Sequence, residues 1–227
     1  MPRRSAAVAT EGRARAEAPL SRDRILAAAV RLADREGIEA LSMRKLAQQL
    51  GVDPMSLYNH VRDKEALLDG VVDVVVGEIE PVALGADWRS SLRETILGAR
   101  RTMLRHPWAA RVIESRADPS PATLRHMERV MEIVRGGGFS LELAHHALHV
   151  LGSRVLGFSQ DLFDDSDDAR PDPEAAALLA RQLAVSHPRL GELAAAVTHE
   201  GGLGGCDDDV EFEFGLDLIL DGLDRLR

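Results

Sequence analysis

The chain has 227 residues, 45% of them hydrophobic and 29% charged, which is typical of a soluble globular protein with one substantial domain and a smaller one. Its one cysteine, Cys206, excludes an intrachain disulfide and suits a reducing compartment. No apolar run approaches the ~20 residues that cross a bilayer, and the N-terminus lacks the apolar core of a signal peptide. We therefore expect a cytoplasmic protein without a membrane partner.

The net charge of −9 is distributed unevenly along the chain. Residues 1–64 contain 12 basic and 8 acidic side chains, a net charge of +4, which leaves 16 basic and 29 acidic side chains, a net charge of −13, for the remainder. A basic end can approach nucleic-acid phosphates, whereas an acidic end is repelled by them. The charge distribution is therefore compatible with DNA binding by the N-terminal part.

Residues 1–19 carry four arginines among small residues and show no apolar periodicity. They are predicted to be a flexible basic arm that either touches DNA or is simply a disordered terminus. The first helix follows, with Ser21 as its N-cap and Gly37 as its end. Its apolar residues recur at helical spacing, so one face is expected to support the elements that follow.

Two short helices come next. Ser42 can cap the first, which ends at Gly51, a residue that tolerates a left-handed backbone. Asp53 can cap the second, at residues 54–60, and Pro54 suits its first position, where a missing N–H is not needed. Two helices joined by a short turn that contains glycine form a helix-turn-helix.

The outward surface of the second helix has chemistry suited to reading DNA. The helix is too short to be stable alone and must be held by Leu57 and Val61, while its other side chains are small, aromatic or amide-bearing. An amide can bond adenine, hydroxyls can read several bases, apolar groups can meet a thymine methyl, and arginine can bond guanine. The predicted DNA contacts are Ser42, Met43, Arg44, Pro54, Met55, Ser56, Tyr58, Asn59, His60 and Lys64, with Lys45 as a further phosphate contact.

The rest of the chain is also predicted to be helical. A long helix from Asp63 to about Glu80 links the two parts, and further helices are predicted at 88–105, 108–115, 122–135, 140–163, 174–197 and 207–227. The valine run at 71–76 fits strand propensity, but the apolar side chains around it recur at helical spacing. The helices at 140–163 and 207–227 are apolar on nearly all sides, so each must be buried on more than one face.

Other site chemistries fit the sequence poorly. The glycines at 136–138 lie between helices rather than after a strand, and the acidic segment 164–174 lacks calcium-loop spacing, so it is predicted to be a solvated loop. His145 and His149 have a spacing that suits a metal, but no third ligand accompanies them, and helix-surface or interface histidines are the simpler interpretation. Ser153 lacks a G-x-S-x-G context. We therefore predict no enzyme activity, no metal and no cofactor.

Residues 37–68 resemble the DNA-binding domain of the tetracycline-repressor (TetR) family. The likeness lies in RKLAQQLGV at 44–52, in the L-Y-x-H at 57–60 and in the K-x-A-L-L-D at 64–69. Two later segments, GFSLELAHHAL at 138–148 and FEFGLDLILDGLDRL at 212–226, look like the helices of that family's dimeric four-helix bundle. The resemblance implies an all-helical homodimer, with an N-terminal DNA-binding domain and a larger domain that binds a small molecule and releases DNA.

The same resemblance implies a pocket and a dimer interface. The pocket is expected to be lined by Thr95, Ala99, Arg100, Met103, Ile113, Met127, Val130, Met131, Leu151, Arg154 and Phe158. Arg100 and Arg154 would either orient a ligand or be buried salt-bridge partners. The interface is expected to contain Leu141, Leu148, Phe212, Leu216, Ile219, Leu220 and Leu223.

One departure from the family bears on the ligand. The magnesium-binding histidine of the tetracycline repressors corresponds here to Ile113, the threonine-arginine pair after it to Arg116-Ala117, and a second polar drug-binding position to Val130. Ile113 has no lone pair, and a guanidinium only donates hydrogen bonds, so neither replaces the metal ligand. The effector is therefore expected to be a small, largely apolar molecule that binds without a divalent metal.

Together these features predict an all-α protein with an arm at 1–19, a three-helix DNA-binding domain at 20–66 and a ligand-binding and dimerisation domain at 67–227. The predicted function is that of a ligand-responsive transcriptional regulator, most simply a repressor, which binds a palindromic operator as a homodimer and is released by a small-molecule effector. The alternative is a small-molecule-binding dimer with a vestigial helix-turn-helix. For the helix-turn-helix taken alone, the alternative is a plain surface hairpin of helices.

Overall fold

The computed structural model describes residues 19–83, 85, 87–157, 173–196 and 208–227, and the secondary structure in these ranges is helical. The elements are α1 (Arg22–Glu36), a 3-10 turn (Ile38–Ala40), α2 (Met43–Leu50), α3 (Pro54–Tyr58), α4 (Lys64–Gly77), α5 (Trp88–Arg105), α6 (Ala109–Glu114), α7 (Pro121–Gly136), α8 (Leu141–Gly157), α9 (Pro173–Ser186), α10 (Pro188–Ala196) and α11 (Asp208–Leu226). The predicted all-α fold is confirmed.

The N-terminal helices begin and end at the predicted caps. Ser21 Oγ and Ser42 Oγ each accept a hydrogen bond of 3.2 Å from the backbone N–H three residues later. Asp53 Oδ1 accepts a bond of 2.8 Å from the backbone N–H two residues later. Gly51 ends α2 with a φ of +68°, a left-handed conformation that a side chain would strain. These local interactions fix the turn between α2 and α3.

The five-residue helix α3 is held from beneath by two apolar side chains. Leu57 is 0% exposed and Val61 3% exposed, and both belong to the hydrophobic cluster that α1, α2 and α4 share. Full burial of such a side chain contributes roughly 1.5–3 kcal/mol, which local helix formation cannot supply over five residues. The orientation of α3 therefore depends on this packing.

Helix α4 packs on both parts of the protein. Its residues Leu67, Val71 and Val75 are fully buried, and α4 contacts α1 on one side and α6 and α7 on the other. The same hydrophobic cluster continues into the α6 region through Trp108 and Val112. The predicted domain boundary at 66/67 therefore falls inside a continuous apolar cluster, and α4 joins the N-terminal helices to the larger domain.

A second hydrophobic cluster unites α5, α7, α8 and α11. Ion pairs between α5 and α11 flank it. Arg93 lies 2.6 Å from a Glu213 oxygen and 3.0 Å from an Asp217 oxygen, and Arg89 lies 2.7 Å from Asp221. These contacts fix the register of α11 on α5.

The helix predicted at 174–197 is two helices in the structure, α9 and α10, separated at His187. Pro188 has no backbone N–H to continue α9, and its fixed φ suits the first position of a new helix. Several predicted features lie outside the described residues: the arm at 1–18, Phe158, most of the acidic segment 164–174, and Cys206.

A pair of substitutions on α3 tests its packing. We expect Leu57→Ala to lower the free energy of unfolding by about 2–5 kcal/mol, because it leaves a cavity under the helix. Met55→Ala, at a side chain that is 70% exposed, should change the free energy of unfolding by less than about 0.5 kcal/mol. Urea denaturation followed by circular dichroism measures both. Equal losses in the two variants would contradict the packing described for α3.

Candidate functional site

Most of the predicted DNA contacts form an exposed surface on α3 and beside it. Met55 and Tyr58 are 70% and 43% exposed, whereas large apolar and aromatic side chains are usually more deeply buried. The remaining exposed members are Ser42, Arg44, Pro54, Asn59, His60 and Lys64, and Ser56 is half-buried. The structure thus leaves a phenol, an amide and a thioether exposed on and just after α3, and one cation exposed on each of the neighbouring helices α2 and α4. Base edges and phosphates are the groups that such a surface can bind.

Two of the predicted DNA contacts, Met43 and Lys45, are not exposed, and one exposed cation near α3, Arg62, was not among the predicted contacts. Met43 is buried in the hydrophobic cluster and supports α2, because the first turn of that helix rests on the core. Lys45 is half-buried and forms an ion pair with Glu36. Arg62 was not predicted, yet its side chain is 83% exposed at the junction of α3 and α4, where it lies 2.7 Å from Asp63.

A cavity of about 530 Å3 lies between α4, α5, α6, α7 and α8. This volume falls within the roughly 300–1,000 Å3 of small-molecule sites, and the walls are mainly apolar, as in such sites. Six of the predicted pocket residues line it: Ala99, Met103, Ile113, Met127, Val130 and Leu151. The predicted interface residue Leu148 also lines this cavity.

Four other predicted pocket residues do not line the cavity: Thr95, Met131, Arg100 and Arg154. Thr95 is buried, and its hydroxyl donates a hydrogen bond of 2.8 Å to the Ser91 carbonyl one turn earlier in α5. Met131 packs against the second hydrophobic cluster. The resemblance placed both in the pocket, but α5 and α7 are buried on more sides than the cavity occupies.

Arg100 and Arg154 hold the start of α11 instead of a ligand. Arg100 Nη2 lies 3.0 Å from an Asp209 carboxylate oxygen, and Arg154 Nη2 donates a bond of 2.6 Å to the Glu211 carbonyl. The Phe212 ring lies near both guanidinium groups, at 4.3 Å from the Arg100 carbon and 5.0 Å from the Arg154 carbon. Burial, with the nearby Arg100 charge, lowers the pKa of Arg154 below its ordinary value. Arg100 thus has the geometry of a buried salt-bridge partner, whereas Arg154 is half-buried and bonds to backbone carbonyls.

Three histidines line the cavity: His126 on α7, which the sequence analysis did not consider, and His145 and His149 on α8, which it interpreted as helix-surface or interface residues. Burial lowers the pKa of His126 below its ordinary value, which favours a neutral ring. The rings of His145 and His149 lie 4.5 Å apart in an edge-to-face arrangement. The sequence did contain a signal for His126: it lies one helical turn before Val130, a predicted pocket residue, and so on the same side of α7. Among the described residues, no group of three or more His, Cys, Asp or Glu side chains is arranged to hold a metal ion.

The segment before α6 is bonded to the DNA-binding helices by a buried histidine. His106 Nδ1 lies 2.7 Å from Asp34 Oδ1 on α1, and His106 Nε2 lies 3.1 Å from a Glu78 oxygen at the end of α4. The Trp108 indole N–H donates to the same Asp34 oxygen at 2.8 Å. Because His106 is only 7% exposed, these bonds are shielded from water and strongly fix the geometry of this junction.

The segment after α6 is bonded to α4. Arg116 Nη2 lies 2.6 Å from a Glu65 oxygen, and Arg116 Nη1 lies 3.3 Å from Asp69. Farther along α4, Asp73 Oδ1 accepts a bond of 2.7 Å from the Ala122 N–H at the start of α7. Helix α6 therefore lines the cavity through Ile113, and residues on either side of it bond to α1 and α4.

Most of the α11 residues predicted for the dimer interface are buried within the protomer itself. Phe212, Leu216, Leu220 and Leu223 are buried in the protomer's own core, and Ile219 is half-buried against the same cluster. The exposed apolar residues of α11 are Val210, Phe214 and Leu218, on the opposite stripe, and Leu226 at the end of the helix; Leu141 of α8 is also exposed. Helical periodicity could not decide which stripe faces inward, because α11 carries an apolar stripe on each of two opposite sides.

An exposed helix-turn-helix, a separate apolar cavity and the bonded segments between them define a class of protein: transcriptional regulators of the helix-turn-helix type with a small-molecule site. None of the described helices is long and apolar enough to cross a lipid bilayer. Family comparison agrees with this class. The family model "Tetracyclin repressor-like, C-terminal domain" matches residues 80–227, and "Bacterial regulatory proteins, tetR family" matches residues 25–71. The chain belongs to the tetracycline-repressor family, whose members are transcriptional regulators rather than enzymes.

Three relatives illustrate the likeness. The HTH-type transcriptional repressor DrrR1 of Streptomyces coeruleorubidus is 35% identical over 91% of this chain and 78% of that protein. An HTH-type transcriptional regulator of Saccharopolyspora erythraea is 40% identical, but the match covers 57% of this chain and only 55% of that relative. Unliganded ActR of Streptomyces coelicolor is 36% identical, with a TM-score of 0.72 over 92% of this chain and 96% of that one. ActR has also been solved in complex with actinorhodin.

The lowered pKa of His126 predicts a specific pH dependence of stability. Below a pH of about 6.5 the unfolded chain protonates this histidine more readily than the folded chain does, so stability falls on acidification. The melting temperature of the His126→Gln variant should therefore fall less between about pH 7.5 and pH 5.5 than that of the wild type. The exposed His146→Gln serves as the control and should behave like the wild type. Identical pH profiles for the wild type and the His126→Gln variant would contradict the assignment.

Proposed function

We propose that the chain is a cytoplasmic, homodimeric transcriptional repressor that binds a palindromic operator and is released from it by a small, largely apolar effector. The observation that carries this proposal is the position of α6. Its Ile113 lines the apolar cavity, and Arg116, just beyond its end, is paired with Glu65 and Asp69 of α4. A ligand in the cavity therefore touches an element whose flanking residue is bonded to α4, the helix that joins the DNA-binding helices to the larger domain.

The exposed surface of α3 supports operator binding. Tyr58, Asn59 and the Met55 side chain are suited to base edges, and Lys64 and Arg44 are suited to phosphates and guanine. A dimer would present two such helices about 34–36 Å apart, in successive major grooves on one face of DNA. The excess of basic side chains in residues 1–64 favours the same orientation.

The exposed apolar stripe of α11 supports the homodimer. Val210, Phe214 and Leu218 recur every four residues and are 59%, 62% and 53% exposed. Soluble monomers rarely expose contiguous apolar patches beyond a few hundred Å2. A second copy of the same stripe is self-complementary under two-fold symmetry, so a closed dimer buries both.

Release follows from differential affinity. An effector shifts the equilibrium between a DNA-binding geometry and a second geometry only to the extent that it binds the second geometry more tightly. Couplings of this kind are typically about 1–3 kcal/mol, a factor of roughly 5–150 in operator affinity. In this chain the effector would act on α6, and the ion pairs of Arg116 would transmit the displacement to α4.

The cavity supports an apolar effector that needs no divalent metal. Its lining is mainly apolar, and Met103 and Met127 provide adaptable surface. Ile113 occupies the place of the family's magnesium-binding histidine and offers no lone pair. The complex of ActR with actinorhodin supports small-molecule binding by this fold.

Gel shift with DNA from upstream of the chain's own gene tests operator binding directly, and two variants test the assigned surface. Lys64→Ala should weaken binding to all sequences and lower the salt dependence by about one ion. Tyr58→Ala should reduce the preference for operator over random DNA. The exposed Arg125→Ala on α7 is the control and should bind as the wild type does. If the wild type binds no upstream DNA, the result supports the alternative of a vestigial helix-turn-helix. If Lys64→Ala and Tyr58→Ala both bind the operator as tightly and as selectively as the wild type, the assigned surface is wrong.

The dimer surface is tested by charge substitution at exposed positions, where the protomer's own core is unaffected. Phe214→Asp should give monomer or aggregate in sedimentation and lose operator binding, because it places a carboxylate in the apolar stripe. Leu124→Asp on α7, at a side chain that is 52% exposed, should remain dimeric. A stable wild-type monomer at micromolar concentration would refute the homodimer.

A further inference from the structure

The cavity contains polar groups whose chemistry limits the effector. His126 lies on α7, and His145 and His149 lie on α8, all facing the same mainly apolar space. The hydroxyls nearby are already bonded: Ser153 Oγ donates to the His149 carbonyl at 2.9 Å, and Thr123 Oγ1 lies 3.1 Å from another hydroxyl. Within the described part of the chain, the His126 ring has no hydrogen bond or ion pair with the protein. A half-buried ring in that state is available to a ligand.

The surrounding charges disfavour an anionic ligand. Glu114 of α6 lines the cavity, and the described lining residues include no lysine or arginine. The lining residues of α4 and α5 are uncharged, so the titratable groups that line the cavity besides His126 are Glu114, His145 and His149. Burial favours the neutral form of His126, which offers one N–H donor and one nitrogen acceptor. A hydroxyl group, which both donates and accepts, matches this ring.

The rest of the cavity favours an aromatic body. Met103 and Met127 line it, and thioether sulfur makes favourable contacts with aromatic rings. The edge-to-face pair of His145 and His149 provides further ring surface. An aromatic molecule fills apolar space while keeping few rotatable bonds, so little conformational entropy is lost on binding.

We infer that the effector is an uncharged, hydroxylated aromatic molecule whose hydroxyl group is bound by His126 and whose ring system fills the apolar part of the cavity. This inference rests on the proposed function, since it specifies the ligand of that cavity. His126 is then the residue that distinguishes hydroxylated from plain aromatic ligands.

Three probes with one ring system test the inference: 1-pyrenol, 1-methylpyrene and 1-pyrenemethylamine. Fluorescence titration of the full chain at neutral pH should give 1-pyrenol a dissociation constant roughly fivefold to tenfold below that of 1-methylpyrene, the effect of one net hydrogen bond. Equal affinities for these two would overturn the inference. Tighter binding of the amine than of the pyrenol would also overturn it, and would make Glu114 the anchor.

Substitution of the ring tests the role of His126. His126→Leu should bring the ratio of the two affinities close to one by weakening 1-pyrenol, while 1-methylpyrene still binds. His146→Leu, at an exposed position that does not line the cavity, should keep the wild-type ratio. A preserved preference in a folded His126→Leu protein would overturn the assignment. If that variant does not fold, His126→Gln, which still offers a donor and an acceptor, should keep part of the preference, and its failure to do so would count against the inference.

These titrations contain no DNA, so their failure is distinguishable from failure of the proposed function. If the chain prefers 1-pyrenol as predicted but does not bind its upstream DNA, the inference stands and the repressor proposal is wrong. A chain released from its operator as well by 1-methylpyrene as by 1-pyrenol would overturn the inference alone.

Discussion

The packing of α4 between two sets of helices is the constraint on which the rest of the structure depends. Leu67, Val71 and Val75 are fully buried in the cluster shared with α1, and α4 also contacts α6 and α7. Protein interiors are close-packed, so a helix held on both sides cannot move without its neighbours. A displacement at the cavity must therefore either be resisted or be transmitted to α1 and the helix-turn-helix.

Polar bonds determine which part of the cavity wall transmits that displacement to the N-terminal helices. His106 bonds to carboxylates on α1 and at the end of α4, and Arg116 bonds to α4, so both sides of α6 are tied to the N-terminal helices. Such pairs add geometric definition more than net stability, because desolvating the charges offsets much of their attraction. The helix α6 thus has two roles, as a wall of the cavity through Ile113 and as a rigid connection to the DNA-binding helices.

The sequence predicted those features that local chemistry determines. The caps Ser21, Ser42 and Asp53 and the turn at Gly51 need only neighbouring backbone groups, and each lies where it was predicted. Features that depend on distant packing were not predictable in this way. The two apolar stripes of α11 are equivalent in sequence, so only tertiary contacts bury Phe212 and leave the other stripe exposed. Arg100 and Arg154 have inward positions on α5 and α8, yet their partners are on α11, more than fifty residues away in sequence. His126 was missed because helical spacing marks an inward face without saying whether a cavity lies beyond it.

The central claim is that the cavity and the operator-binding surface are energetically coupled, and reciprocity tests it most directly. The dissociation constant of 1-pyrenol should be measured by fluorescence for the free protein and for the protein saturated with its upstream DNA. Coupling requires that DNA weakens 1-pyrenol binding by the same factor by which 1-pyrenol weakens DNA binding. We expect a factor of roughly 5–150 in both directions. Equal affinity of 1-pyrenol for the free and the DNA-bound protein would contradict the coupling through α4 and α6.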